Sequence, residues 1–180
     1  MFELLEGKNV NLRLVEKEDL PLFMEWLNKP EVLGEYNPLV QMTKTEVEKM
    51  LENSSDFNLF FIENKDGSKI GFVARYKELW GGQMEIGYVL VPSERGKGYC
   101  SEAVKIMVDY LFLSMGDIIR IQAHTDVRNA ASQKVLEKVG FKKEGTIRKG
   151  YFARGAWTDW FLYSILREEW KEPKILTKTP

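Results

Sequence analysis

The chain of 180 residues holds one cysteine, Cys100, and one histidine, His124. A lone cysteine excludes an internal disulfide, and one cysteine with one histidine supplies too few soft ligands for a structural zinc site, so no metal is expected. Net charge is also scarce. Twenty-six Lys plus Arg against 27 Asp plus Glu leave -1, which excludes capture of nucleic acid by global charge and leaves only a local basic groove. No run of about 18 apolar residues occurs, and Met1-Phe2-Glu3-Leu4-Leu5-Glu6 is acidic where a signal peptide is basic and then apolar. The expectation is a reducing, cytoplasmic protein that neither crosses nor inserts into a membrane.

With 44% hydrophobic and 12% aromatic residues, the chain has enough apolar surface for one core, and at this length roughly 70% of the unfolded surface is buried on folding. A single domain over residues 1–180 is expected, with no repeat or linker and with a polar, frayed tail from Lys171. Asn11 to Val15 alternates as a half-buried strand, and Glu18 to Asn28 carries Leu20, Phe23, Met24 and Leu27 at helical spacing. Lys29-Pro30 and Gly34 to Pro38 break that pattern. Thr43 and Glu46 form a capping box that opens a second helix to Glu52; with only Val47, Met50 and Leu51 to bury, it reads as a surface lid.

Phe57 to Glu63 and Lys69 to Tyr76 read as a hairpin around Asn64-Lys65-Asp66-Gly67, followed by a strand over Gln83 to Val91. From Tyr99 to Ser114 the chain is apolar save a stripe of Glu102, Lys105 and Asp109, which predicts a helix buried on most of its circumference. Ile118 to Ala123 is a further strand, Ala130 to Val139 a helix stopped by Gly140, and Phe141 to Arg148 and Trp157 to Arg167 the last two strands. Strand, long helix and strand form a βαβ unit with parallel strands, and the rest reads as antiparallel. The fold class is therefore mixed α+β.

The segment Val91-Pro92-Ser93-Glu94-Arg95-Gly96-Lys97-Gly98-Tyr99-Cys100-Ser101 ends a strand, forms a Gly-rich loop and opens the long helix. Glycines let backbone amides approach a ligand, the helix N-terminus adds unpaired N–H groups, and Arg95 and Lys97 add charge, a combination suited to a phosphate or pyrophosphate. Neither a dinucleotide fingerprint, whose third glycine would fall at Ser101, nor a Walker loop fits these residues. Taken alone, such a loop is also compatible with a plain tight turn.

Arg95-Gly96-Lys97-Gly98-Tyr99-Cys100 resembles the Arg/Gln-x-x-Gly-x-Gly/Ala signature of the GNAT superfamily of acyl-CoA-dependent N-acyltransferases, with Cys100 departing at the last position. The resemblance continues through Met84-Glu85-Ile86-Gly87-Tyr88-Val89-Leu90, Asn129-Ala130-Ala131-Ser132, Glu137 to Phe141, and Gly145 with Arg148. It covers about Val10 to Trp170 and is closest to the Rim-type branch, the ribosomal-protein N-terminal acetyltransferases. The fold it implies is a GNAT-like central twisted sheet, mostly antiparallel with one splayed parallel pair, and helices on both faces.

By this resemblance acetyl-CoA lies in the splay. Backbone groups of Val89, Leu90 and Val91 bind the pantetheine and acetyl carbonyl, amides from Gly96 through Lys97, Gly98, Tyr99 and Cys100 to Ser101 bind the pyrophosphate beside Arg95, and Asn129 bonds the pantetheine arm. Asn129 is equally an N-cap. Asn129, Ser132 and Leu136 share a helix stripe; related enzymes often carry a tyrosine acid where this chain has Leu136, which leaves Ser132 or a water to protonate the thiolate. Glu85 is the candidate base, acting directly or through water, against the reading of a solvated or sheet-edge carboxylate.

An α-amine with pKa near 8 is about a tenth neutral at pH 7, whereas a lysine near 10.4 is neutral in about one molecule in two thousand, so an N-terminal acceptor needs the weaker base. Aromatics Trp26, Tyr36, Trp80, Tyr151, Trp157 and Trp160 surround the expected acceptor cleft, and Tyr36 is the one expected to face the acceptor. His124 reads as a satisfied structural residue on a strand, and Cys100 as no nucleophile. The expected activity is direct acetyl transfer to a protein N-terminal amine. The alternatives are a small amine (polyamine, amino sugar, amino acid or aminoglycoside) and a non-catalytic acyl-CoA-binding module. A cleft of converging carboxylates would point to a polycation. A homodimer is the default assembly for such a chain.

Overall fold

Eight strands form one sheet in the order β1-β2-β3-β4-β5-β6-β8-β7 in the computed structural model, which describes residues 4–52, 56–78 and 81–176. Leu4–Glu6 (β1) pairs with Val10–Leu14 (β2), and β2 with Phe57–Asn64 (β3), whose alternating side chains bury Leu59 and Phe61 on one face and Phe60 and Ile62 on the other. The predicted hairpin joins β3 to Lys69–Lys77 (β4). Asn64 Oδ1 accepts from the amides of Asp66 and Ser68 and so closes its turn. Gln83–Leu90 (β5) follows antiparallel to β4.

Helix α4, Tyr99–Ser114, matches its predicted bounds and carries the chain to Arg120–Asp126 (β6). β5 and β6 are parallel, as the βαβ pattern requires, but they pair only through Gln83, Met84 and Glu85 against Arg120, Ile121 and Gln122. Beyond that point β5 keeps only β4 and β6 keeps only Ala156–Leu166 (β8), so the sheet splays there. β6 starts two residues later and runs three further than the sequence pattern suggests, which takes His124, Thr125 and Asp126 into the splay. Lys142–Ala153 (β7) is the edge strand against β8, longer than expected because its polar second half alternates with nothing to bury outside.

Helices cover both faces. On one side α4 and Ala130–Val139 (α5) close a core around Ile106, Met107, Leu111, Ile121 and Tyr163; on the other Leu20–Leu27 (α1), Pro30–Leu33 (α2) and Lys44–Glu52 (α3) close a second around Phe23, Trp26, Phe61 and Phe72. Each fully buried Leu, Ile, Phe or Met in these layers contributes about 1.5–3 kcal/mol. The region read as a break from Lys29 holds the short α2, since Pro30 is at home in a first helical turn. The capping box of Thr43 and Glu46 is present. The helix it opens lids the second core through Val47 and lines none of the cavities described below.

Two expectations about polarity are corrected. Asp109 does not belong to a solvated stripe: it is 0% exposed. The chain after Lys171 is not frayed up to Leu176, because Asp109 accepts hydrogen bonds from the amides of Lys174, Ile175 and Leu176 and from Trp170 Nε1, at 2.7–3.0 Å. A charged acceptor with four donors is satisfied where an unpaired one would not be buried. Arg167 completes this end of the molecule by donating to the carbonyls of Phe112, Met115 and Ile118, at the negative end of α4.

Candidate active site

The Gly-rich loop after β5 turns through glycines in the left-handed region, Gly96 at φ 77° and Gly98 at φ 85°, with nothing within 4 Å of where a Cβ would stand. Gly98 is the N-cap of α4 and no side chain caps it, so the first-turn amides of a 16-residue helix point outward without an intrahelical partner. The loop therefore fits a diphosphate. Arg95, expected beside that anion, donates to the carbonyls of Leu90, Glu31 and Val32, ties α2 to the end of β5, and lines the cavity next to the loop. Lys97 pairs with Glu94 at 3.1 Å.

Beside the loop lies a cavity of about 300 Å³ between residues 32–37 and the splay, lined by Tyr88, Val89, Leu90, Cys100, Asn129 and Ser132 among others. The strand edge that β5 leaves unpaired beside it suits an extended arm such as pantetheine. Of the residues whose backbone was expected there, Val89 and Val91 both rest their side chains on the second core, and Val89 and Leu90 line the cavity. Tyr99 leans on the first core, and Lys97, Gly98 and Ser101 open onto a separate basic cavity with Lys8, Lys105, Lys138 and Lys174. Burial pushes the Cys100 thiol up to about 12, so it stays protonated and is no nucleophile. Asn129 Oδ1 accepts from the Ser132 amide at 3.1 Å as an N-cap, while the residue lines the cavity.

A second cavity of about 520 Å³ adjoins the first and shares Tyr36, Asn37, Tyr88, Asn129 and Ser132 with it. Its far wall carries Glu78, Glu85, His124, Asp126, Tyr151 and Trp160. His124 Nδ1 donates to Glu85 Oε1 at 3.0 Å. Burial works to raise the Glu85 carboxyl, but hydrogen bonds from His124, Glu78 and Gln122 outweigh it and hold Glu85 below the ordinary carboxylate range. The Glu85 hydrogen bond in turn raises His124 against burial. Glu78 is raised by burial and by its hydrogen bond with Glu85. Asp126 is taken by Arg128 at 2.7 Å.

Tyr36 lines both cavities, with the Arg128 guanidinium 5.4 Å over its ring. Tyr151 and Trp160 stack at 4.5 Å on the same wall. Trp26 is core, Trp157 is 57% exposed and lines neither of these cavities, and Trp80 lies outside the described residues. The sequence reading missed Glu78 and Tyr88 and set His124 aside; each acquires its place only through contacts with distant segments. Among the described residues no three His, Cys, Asp or Glu side chains converge to hold a metal ion, and no helix is long and apolar enough to cross a membrane.

A splayed parallel pair, an uncapped helix behind a Gly-rich loop and two cavities meeting at one strand define an acyl-CoA-dependent acyltransferase. The acetyltransferase (GNAT) domain family matches residues 9–142, and the chain belongs to that family. It is 31% identical over 178 residues to an uncharacterized N-acetyltransferase p20 of Bacillus licheniformis, covering 93% of this chain and 98% of that one. It is also similar to a ribosomal-protein-S5-alanine acetyltransferase from Vibrio fischeri (TM-score 0.80, 25% identity, 94% of this chain and 100% of that one). The fold is shared with a spermidine N-acetyltransferase from Vibrio cholerae solved with CoA and spermine (TM-score 0.81, 21% identity, 91% and 99%).

Proposed function

We propose that this acetyltransferase transfers acetyl from acetyl-CoA to the α-amine at the N-terminus of a peptide or protein, by direct attack in a ternary complex in a reducing cytoplasm. The pairing of charges in the second cavity carries this reading. Glu85 is paired with His124 and hydrogen-bonded by Glu78, and Asp126 is taken by Arg128, so the carboxyls of this wall are committed to partners and offer no converging cluster to a polycation. A polyamine therefore brings more charge than the cavity can match. Thr125 Oγ1 and Trp160 Nε1 on the same wall are buried without a hydrogen-bond partner among the described residues.

Bound acetyl-CoA supplies an acetyl carbon activated as a thioester. The loop amides from Gly96 to Ser101 would hold its diphosphate, and Asn129 with the edge of β5 at Val89 and Leu90 its pantetheine arm. Glu85 takes the amine proton, directly or through water. A carboxylate held below its ordinary range is a weak base, which suffices for an α-amine and not for a lysine. Ser132 lines both cavities, which supports a role for its hydroxyl at the leaving sulfur.

CoA release with acetyl-CoA and a panel of amines tests the reading: peptides with free N-termini, the same peptides Nα-acetylated but keeping lysines, spermidine, and small monoamines. Free N-termini are expected to turn over and blocked ones not. Glu85→Gln is expected to lower kcat/KM by about 10²–10⁴-fold. Preference for spermidine or for a small monoamine overturns the acceptor assignment, and CoA binding without turnover of any amine would make the chain a binding module.

A further inference from the structure

Helix α5 offers no phenol to a leaving thiolate, since Leu136 is 0% exposed inside the first core. One turn earlier, Ser132 meets a phenol that comes from the sheet. Tyr88 Oη lies 2.9 Å from Ser132 Oγ and 3.3 Å from the Ser132 carbonyl oxygen. Both residues line both cavities, so this hydroxyl pair stands at the boundary between the cofactor arm and the acceptor wall, where the scissile C–S bond must lie. Tyr88 and Glu85 are three apart on β5 and leave the strand on opposite faces: Glu85 toward His124, Tyr88 toward α5. One strand thus presents a base and a neutral hydroxyl on either side of the reacting carbonyl.

Resting on the acetyl-CoA reading above, we propose that Tyr88 is the proton donor to the leaving sulfur, with Ser132 as the hydroxyl through which its proton is replaced. The amine nitrogen forms the C–N bond, and the C–S bond breaks with its electron pair left on sulfur. Tyr88 gives its proton to that sulfur. The phenolate regains one from Ser132 Oγ, which is refilled through water by the proton the amine has shed, so no net proton is lost from the pair. Burial holds the phenol above its ordinary pKa, so it is protonated and a hydrogen-bond donor at neutral pH.

The test has two arms. In the CoA complex, with no acceptor present, the thiol is titrated by its thiolate ultraviolet absorbance; removing a donor from the sulfur in Tyr88→Phe is expected to raise the midpoint by about one pH unit, a tenfold change, and Ser132→Ala to raise it less. In turnover, and equally in the slow hydrolysis of acetyl-CoA by water, Tyr88→Phe is expected to lower kcat by about 10²-fold while the KM for acetyl-CoA stays within about threefold. An unmoved thiol midpoint, or a variant with undiminished kcat, overturns the proposal. If Tyr88→Phe does not fold, the fluorine signal of fluorotyrosine at Tyr88 in the otherwise unaltered protein decides: it is expected to respond to CoA and not to desulfo-CoA, and equal responses overturn the proposal. Because titration and hydrolysis need no amine, failure of the acceptor assignment leaves this test standing.

Discussion

Glu85 and His124 set the pH response of the site, and the signs of their shifts differ. The imidazole is raised by its hydrogen bond to Glu85, so its contribution to stability is complete below the unfolded value of about 6.5 and is lost as pH rises through the folded value. The carboxyl is lowered, so its contribution is complete above about 4.3 and is lost as pH falls through the folded value. The pair therefore stabilises most near pH 5 to 6. Thermal melts of the wild type and His124→Gln from pH 5 to 9 are expected to converge as pH rises; a gap that stays constant would mean that His124 is uncharged in the folded protein. Tyr88 and Ser132 act on the other side of the same strand, and the two pairs are separable by mutation because they share no hydrogen bond.

At the scale of elements, the segment after β8 is held by Asp109 rather than by a helix or strand of its own. Asp109→Ala removes the acceptor of four donors and is expected to cost about 2–3 kcal/mol, measured by denaturant unfolding, with amide exchange accelerated at residues 174–176. Asp109→Asn keeps one acceptor oxygen and should fall between. A tail that exchanges no faster in Asp109→Ala would show that Ile175 and Leu176 are held by apolar packing alone. No pattern in the sequence announces this anchor: the spacing of Glu102, Lys105 and Asp109 is that of an ordinary polar stripe, and only the distant tail turns one member inward. Elements with their own periodicity were readable, α4 to the residue and the β3–β4 hairpin nearly so. The three-residue β1 was not, because it exists only by pairing with β2.

For the whole molecule, the splay between β5 and β6 is a place where a sheet gives up hydrogen bonds along residues 86–90 that a ligand can take over. CoA at a concentration of 100 Kd is expected to add about 2.7 kcal/mol and to raise the melting temperature by about 5–10 °C, read by calorimetry or fluorescence; no shift at such concentrations would place the cofactor elsewhere. The glycine-rich loop and the helix it opens were legible because their motif is contiguous from Val91 to Ser101. The wall of the second cavity was not, because Glu78, His124, Tyr151 and Trp160 stand on separate segments and meet only when the sheet closes around the splay. The sole histidine of 180 residues stands on that wall. A proton magnetic-resonance spectrum of the unlabelled enzyme therefore carries the Hε1 and Hδ2 signals of a single imidazole, assigned to one residue by composition, which report the charge and occupancy of the second cavity.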